Sequence, residues 1–132
     1  MGEIRQANGV SYITYGELKK FQIEQIPIGT ILTGVKPRDL YTVQTWIDTK
    51  KVLADLNSEV SPDLVLPTIG YLHKGRIGGI KLILGDGNTK SIVALVRGHT
   101  VQFEVKGLLP PNTRYRPLIH LYQDNADLFT GF

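Results

Sequence analysis

Cysteine is absent from all 132 residues, which excludes a disulfide framework, a thiolate zinc site and a cysteine nucleophile. Long hydrophobic runs are absent too. A typical apolar stretch is Ser91-Ile92-Val93-Ala94-Leu95-Val96, far short of the roughly 18 residues that span a bilayer. Met1-Gly2-Glu3-Ile4-Arg5 has neither the basic-then-apolar pattern of a signal peptide nor a small-residue cleavage site. No repeat or low-complexity segment is visible, so solenoid and array architectures are set aside. His73, His99 and His120 lack metal-ligand spacing, and Ser91 lies in no recognisable Ser/His/Asp arrangement. The expectation is one soluble, cytoplasmic domain with no membrane partner.

Acidic residues are scarce in the middle of the chain. Residues 1–63 sum to −1, whereas residues 64–120 carry eight basic side chains against Asp86 and Glu104, a sum of +6. The last twelve residues add −2, giving the net +3 of the whole chain. A positive middle suits a phosphate-bearing partner such as a nucleotide or DNA, and equally a solvated face kept basic for solubility. Lys74, Arg76, Arg114 and Arg116 are the candidate nucleic-acid contacts. Arg114-Tyr115-Arg116 mixes cations with an aromatic, as single-strand binders do.

The polar first ten residues read as loosely held. Thr14-Tyr15-Gly16-Glu17 has capping-box spacing and predicts a short helix. Phe21 to Ile28 alternates as an edge strand, with Pro27 forfeiting one ladder donor. From Asp39 to Asn57 the spacing of Leu40, Val43, Trp46, Ile47, Leu53 and Leu56 is helical, with Asp39 as N-cap and Trp46 on the core stripe. Lys50 and Lys51 interrupt that stripe, so two short helices are an alternative. Ser61-Pro62-Asp63 is a loop. Leu64–Leu72 and Ile80–Leu84 are strands joined by the glycine-rich hairpin His73–Gly79. A helix covers Ile92, Leu95 and Val96 and stops at Gly98. Thr100–Lys106 is a half-buried strand, and Leu118–Tyr122 is one more extended candidate. The class is α+β, a small mixed sheet flanked by helices.

Gly85-Asp86-Gly87-Asn88-Thr89-Lys90 follows a strand and opens a helix. Glycines let the backbone approach a ligand, and the first helical turn offers unpaired N–H groups and the positive end of the macrodipole. Asn88 adds an amide, Thr89 a hydroxyl and Lys90 a cation, the makings of a phosphate pocket. The same residues are also an ordinary tight turn in which Asp86 or Asn88 caps the helix.

Ile80 to Gly98, followed by Thr100 to Val105, resembles the ParB/sulfiredoxin-like superfamily. Many of its members carry a strand, then Asp-Gly-Asn-His-Arg or Gly-Glu-Arg-Arg, then a small apolar helix ending in Gly and a further strand. Ile26-Pro27-Ile28 with Ile31 is similar to its opening strand, Lys36-Pro37-Arg38 to its Pro-Arg element, and Leu66-Pro67-Thr68-Ile69 to a strand opened by proline. The resemblance spans residues 21–107, with 1–20 as an arm and short helix and 108–132 as an extension. It implies a nucleotide (ATP, ADP or CTP) with Mg²⁺, held by Gly87, Asn88, Thr89 and Lys90 with Arg38 facing them. Asp86 is then the metal-holding and catalytic carboxylate. It further implies a nucleotide hydrolase, nuclease or small-molecule kinase in DNA metabolism, and admits a homodimer. Thr89 and Lys90 depart from the family's His-Arg or Arg-Arg pair, which removes a candidate acid/base and the bidentate fork. Sulfiredoxin activity is excluded for want of cysteine. The competing class is a non-catalytic DNA- or protein-binding module with a basic surface.

Overall fold

A computed structural model of the chain describes residues 3–58, 66–75 and 79–132. Asn8 and Gly9 both have positive φ, 53° and 78°, as a two-residue hairpin turn of type I′ requires. They join β1 (Arg5–Ala7) to antiparallel β2 (Val10–Thr14), so Arg5–Ala7 and Val10 are paired where a loose segment is expected. Thr14 then opens a 3-10 helix, Tyr15–Lys20. Its hydroxyl donates to Glu17 Oε1 at 2.6 Å and, with Arg5 nearby, holds the Glu17 carboxyl below the usual range.

The expected strand over Phe21–Ile28 is not formed. The segment takes a 3-10 turn at Ile23–Gln25, with the Gln22 N–H bonded to Gln25 Oε1 at 2.7 Å. The Pro27 carbonyl next accepts from the Thr30 N–H and hydroxyl, which turns the chain, and the strand begins only at β3 (Ile31–Val35). Alternation alone does not distinguish a strand from turns that bury every second or third residue.

The single helical stripe over Asp39–Asn57 also divides. Pro37–Asp39 is a 3-10 turn and Tyr41–Thr42 is strand β4. The helix α1 covers Thr49–Asn57, with Asp48 rather than Asp39 at the N-cap, accepting from the Lys51 N–H at 3.1 Å. Trp46 falls in the connection and is 65% exposed, not a core residue.

Strands β5 (Thr68–Lys74) and β6 (Ile80–Asp86) form the expected hairpin. Ser61-Pro62-Asp63, Leu64 at the expected start of β5, and Arg76 in the connection lie outside the described residues. Helix α2 (Asn88–Arg97) ends at Gly98, φ 73°, and β7 (Val101–Leu108) buries Val101, Phe103 and Val105 in alternation. β8 (Arg116–Pro117) pairs with β4. Leu118–Asp124 is helix α3, not a strand, because Leu118 and Leu121 are buried at helical spacing with His120 exposed between them.

Eight strands among the described residues make one mixed sheet in the order β1-β2-β3-β7-β5-β6-β4-β8. Its buried face carries Leu32, Leu72, Leu82, Leu84, Phe103 and Val105. These pack in one cluster with Val52 and Leu56 of α1, Ile92, Val93 and Ala94 of α2, and Leu118 and Leu121 of α3. Ile13 and Leu18 from residues 1–20, and Phe129 near the C-terminus, join the same cluster. The protein is therefore a mixed α+β fold with its helices gathered on one side of the sheet. Among the described residues no helix is long and apolar enough to cross a membrane.

Candidate functional site

The chain leaves β6 at Asp86 and enters α2 through Gly87, which has φ 90° and acts as N-cap. An added Cβ at Gly87 would lie 2.7 Å from Thr68 Cγ2 and 2.9 Å from Thr68 Cβ. Packing against β5 and the left-handed backbone therefore both demand glycine here. Asp86 Oδ1 accepts from the Gly87 N–H at 2.8 Å, so the aspartate braces the turn. No side chain caps α2. The first intrahelical bond runs from the Ser91 N–H to the Gly87 carbonyl at 3.0 Å, which leaves the amides of residues 88–90 outside the helical ladder.

Those amides border a cavity of about 280 Å³ lined by Gln44, Lys51, Leu66, Asp86, Gly87, Asn88, Thr89 and Lys90. The cavity brings together Asp86, Gly87, Asn88, Thr89 and Lys90 of the sequence-derived set. Lys90 reaches across its mouth, Nζ donating to the Leu66 carbonyl at 3.3 Å. Lys51 supplies a second ammonium from the first turn of α1. Among the described lining residues, Asp86 is the only carboxylate against the two lysines.

Asn88 does something different from what a phosphate-binding amide would do. It is 5% exposed; its Oδ1 accepts from the Thr42 hydroxyl and its Nδ2 donates to Gln44 Oε1 at 2.9 Å. Thr42 Oγ1 in turn accepts from the Gln44 N–H at 3.0 Å. The side chain of Asn88 is thus committed to tying β4 and the chain after it to the start of α2. Its contribution to the cavity is its backbone. Gln44, Lys51 and Leu66 were not anticipated; for Lys51 the signal was present, since a lysine that breaks an apolar stripe faces away from the core.

Arg38 is not on this wall. It is exposed and lines a separate cavity with Tyr15, Asp39, Tyr41, Lys81 and Pro117. Lys74 is exposed at the end of β5, beside Lys19 and Phe21. Arg114 is exposed, whereas Arg116 is held by Asp124 at 2.8 Å. Tyr115 lies edge-on to Tyr41 and His73, at 5.6 and 5.5 Å between centroids.

Among the described residues of the wall, a Mg²⁺ ion at Asp86 would find one carboxylate, with the Gln44 amide and Thr89 hydroxyl as neutral oxygen donors. No group of three His, Asp or Glu side chains arranged to hold a metal occurs among the described residues. That donor set fits an ion shared with phosphate oxygens and water rather than one caged by protein. The chain matches no family model, no curated protein and no solved structure.

Proposed function

We propose that this protein binds the phosphate of a nucleotide or nucleic acid in the cavity at the start of α2. The observation that carries this reading is the meeting of an uncapped ten-residue helix, the glycine turn before it, and the ammonium groups of Lys51 and Lys90 around one opening. Backbone N–H groups and the helix dipole favour an anion there, and flexible lysines neutralise it. In this reading Asp86 shares Mg²⁺ with the bound phosphates. The order β6–glycine turn–α2–β7, with Pro37-Arg38 upstream and Pro67 opening β5, supports a ParB/sulfiredoxin-like reading in which ATP, ADP or CTP is the ligand and the setting is DNA metabolism in the cytoplasm.

Two observations favour binding over turnover. The polar side chain at Asn88 is engaged internally, and Arg38, the second cation expected at the phosphates, faces another cavity. Hydrolase, nuclease or phosphotransferase activity would then rest on Asp86, the one carboxylate among the described residues of the wall. A non-catalytic module is the second reading.

Thermal denaturation with CTP, ATP, ADP and GTP, each with and without Mg²⁺, tests the pocket. A specific ligand raises the melting temperature in a concentration-dependent way, and Lys90→Ala removes the rise. Absence of any rise with all four nucleotides overturns the nucleotide reading.

A further inference from the structure

The helices cover one face of the sheet; the other carries an aromatic and basic surface. Side chains alternate across a strand, so Tyr71 and His73 of β5, Lys81 and Ile83 of β6, and Tyr41 of β4 project away from the helical layer, opposite Leu72, Leu82, Leu84 and Thr42. The segment after β7 brings Tyr115 onto this face. Its ring is edge-on to Tyr41 and His73. Lys81 Nζ sits 4.9 Å from the Tyr41 ring centre and 5.4 Å from that of Tyr115, and it donates to the Tyr115 hydroxyl at 3.4 Å. Two rings thereby hold one ammonium in a fixed place. Tyr71 lies over Gly85, where an added Cβ would come within 3.2 Å of its ring.

These rings are half-buried, not buried. Ile83, which pairs with Tyr41 and Tyr71, is fully covered beneath them. The charge around them is mainly positive. Lys106 of β7 and Arg114 are exposed, Arg38 lines the neighbouring cavity of about 360 Å³, and Lys81 lies at the centre. Against these stand half-buried Glu104 and exposed Asp39, the latter hydrogen-bonded to Tyr15.

We infer that this face is a binding surface for single-stranded nucleic acid. Bases stack on Tyr71, His73 and Tyr115, and the backbone phosphates follow Lys81, Arg114 and Lys106. Stacking aromatics combined with cations that track a backbone are the requirements of such binding, and every base offers a π-face, so little sequence preference is expected. The face lies apart from the cavity at α2 and does not depend on it.

The test is a titration of the full chain into labelled single strands of about 15 nucleotides, oligo(dT) and oligo(U), followed by fluorescence anisotropy. Salt-sensitive binding that exceeds binding to a duplex of equal length is expected. The double variant Tyr71→Leu/Tyr115→Leu should weaken it about tenfold or more, while Lys20→Ala on the 3-10 helix leaves it unchanged. The better of the two strands identifies DNA or RNA as the source. Absence of binding at low salt overturns the proposal, and so does undiminished binding by a double variant that melts like the parent. Equal displacement by polyglutamate reduces the face to a featureless basic surface and overturns it as well. If the double variant fails to fold, amide chemical-shift mapping on the unaltered protein decides. Shifts at Tyr71, His73, Lys81 and Tyr115 support the proposal; shifts confined to residues 87–90 overturn it.

Discussion

Thr42 and Asn88, 46 residues apart, are joined by a buried hydrogen bond in which the threonine hydroxyl donates to the asparagine carbonyl oxygen. The bond fixes where α2 begins relative to β4, and with Gln44 it forms the inner wall of the cavity. Thr42→Val keeps the shape, strips the donor, and leaves both Asn88 Oδ1 and the Gln44 N–H short of a partner. A loss of about 1–3 kcal/mol is expected, as for other buried polar groups left unsatisfied. Urea denaturation with unchanged slope and a lower midpoint would show it.

Gly87 and Gly29 offer a controlled comparison. Both have φ near +90°, so alanine strains the backbone at either position, by on the order of 1–3 kcal/mol. Only at Gly87 does the new methyl also meet Thr68, whereas nothing lies within 4 Å at Gly29. Gly87→Ala should therefore lower the melting temperature more than Gly29→Ala. Equal losses would mean that the contact with Thr68 relaxes freely.

The two lysines of the cavity should act together on a bound phosphate. Hydrogen bonds to charged groups contribute about 1.5–3 kcal/mol, so Lys51→Ala and Lys90→Ala should each weaken nucleotide affinity by about tenfold or more. Raising the salt concentration should weaken binding further. Isothermal titration calorimetry on the parent and both variants measures this directly.

Tyr15 gives the protein an alkaline signature. Burial first, then the charge of Asp39 and a hydrogen bond to its carboxylate, raise the phenol from 10.0 to about 12. A phenol raised in the folded state favours folding in its neutral form. That contribution is complete below pH 10, where the unfolded phenol is also neutral, and is lost as the pH climbs from 10 towards 12. Phenolate absorbance should show one tyrosine titrating late, and Tyr15→Phe should remove that component and flatten the alkaline fall in stability.

Arg97 reaches from the last turn of α2 to the carbonyls of Asp55, Leu56 and Ser58 at the end of α1. These lie among the carbonyls of a helix end that lack the regular i+4 donor, although that of Asp55 also accepts from the Ser58 N–H at 3.2 Å. Arg97→Ala should cost about 1–2 kcal/mol, and Arg97→Lys should recover only part of it, because the three acceptors converge on Nη2 at the tip of the longer side chain, which the shorter lysine does not reach in the same place. Thermal melts of the two variants rank the effect.

Local chemistry was legible where one segment decides its own conformation. Gly98 ends α2 as a left-handed cap, Val101, Phe103 and Val105 alternate as they must for a half-buried strand, and the turn before α2 carries its glycines for a reason visible in the residues. The Asn8-Gly9 hairpin was equally legible, since that dipeptide favours positive φ at both positions; the polarity around it obscured the signal. Elsewhere tertiary context outweighed pattern. The apolar positions between Asp39 and Asn57 serve a 3-10 turn, a two-residue strand and a helix in succession, so their helical spacing is shared among three elements. At the cavity, the backbone of residues 87–90 could be placed from sequence. The engagement of Asn88 by Thr42 and Gln44, and the turning of Arg38 to a different wall, depend on how β4 docks beside β6, and no spacing within the chain encodes that.

Strand β7 pairs antiparallel with β3 on one side and parallel with β5 on the other, yet it follows both of them, and β4 and β6, in the chain. Until residues 101–108 have left the ribosome, the growing polypeptide holds two separate ribbons, one ending at β3 and the other starting at β5, with no strand to bridge them. Assembly of the sheet therefore waits for residues 101–108, and a product truncated before Val101 should expose both raw edges and aggregate.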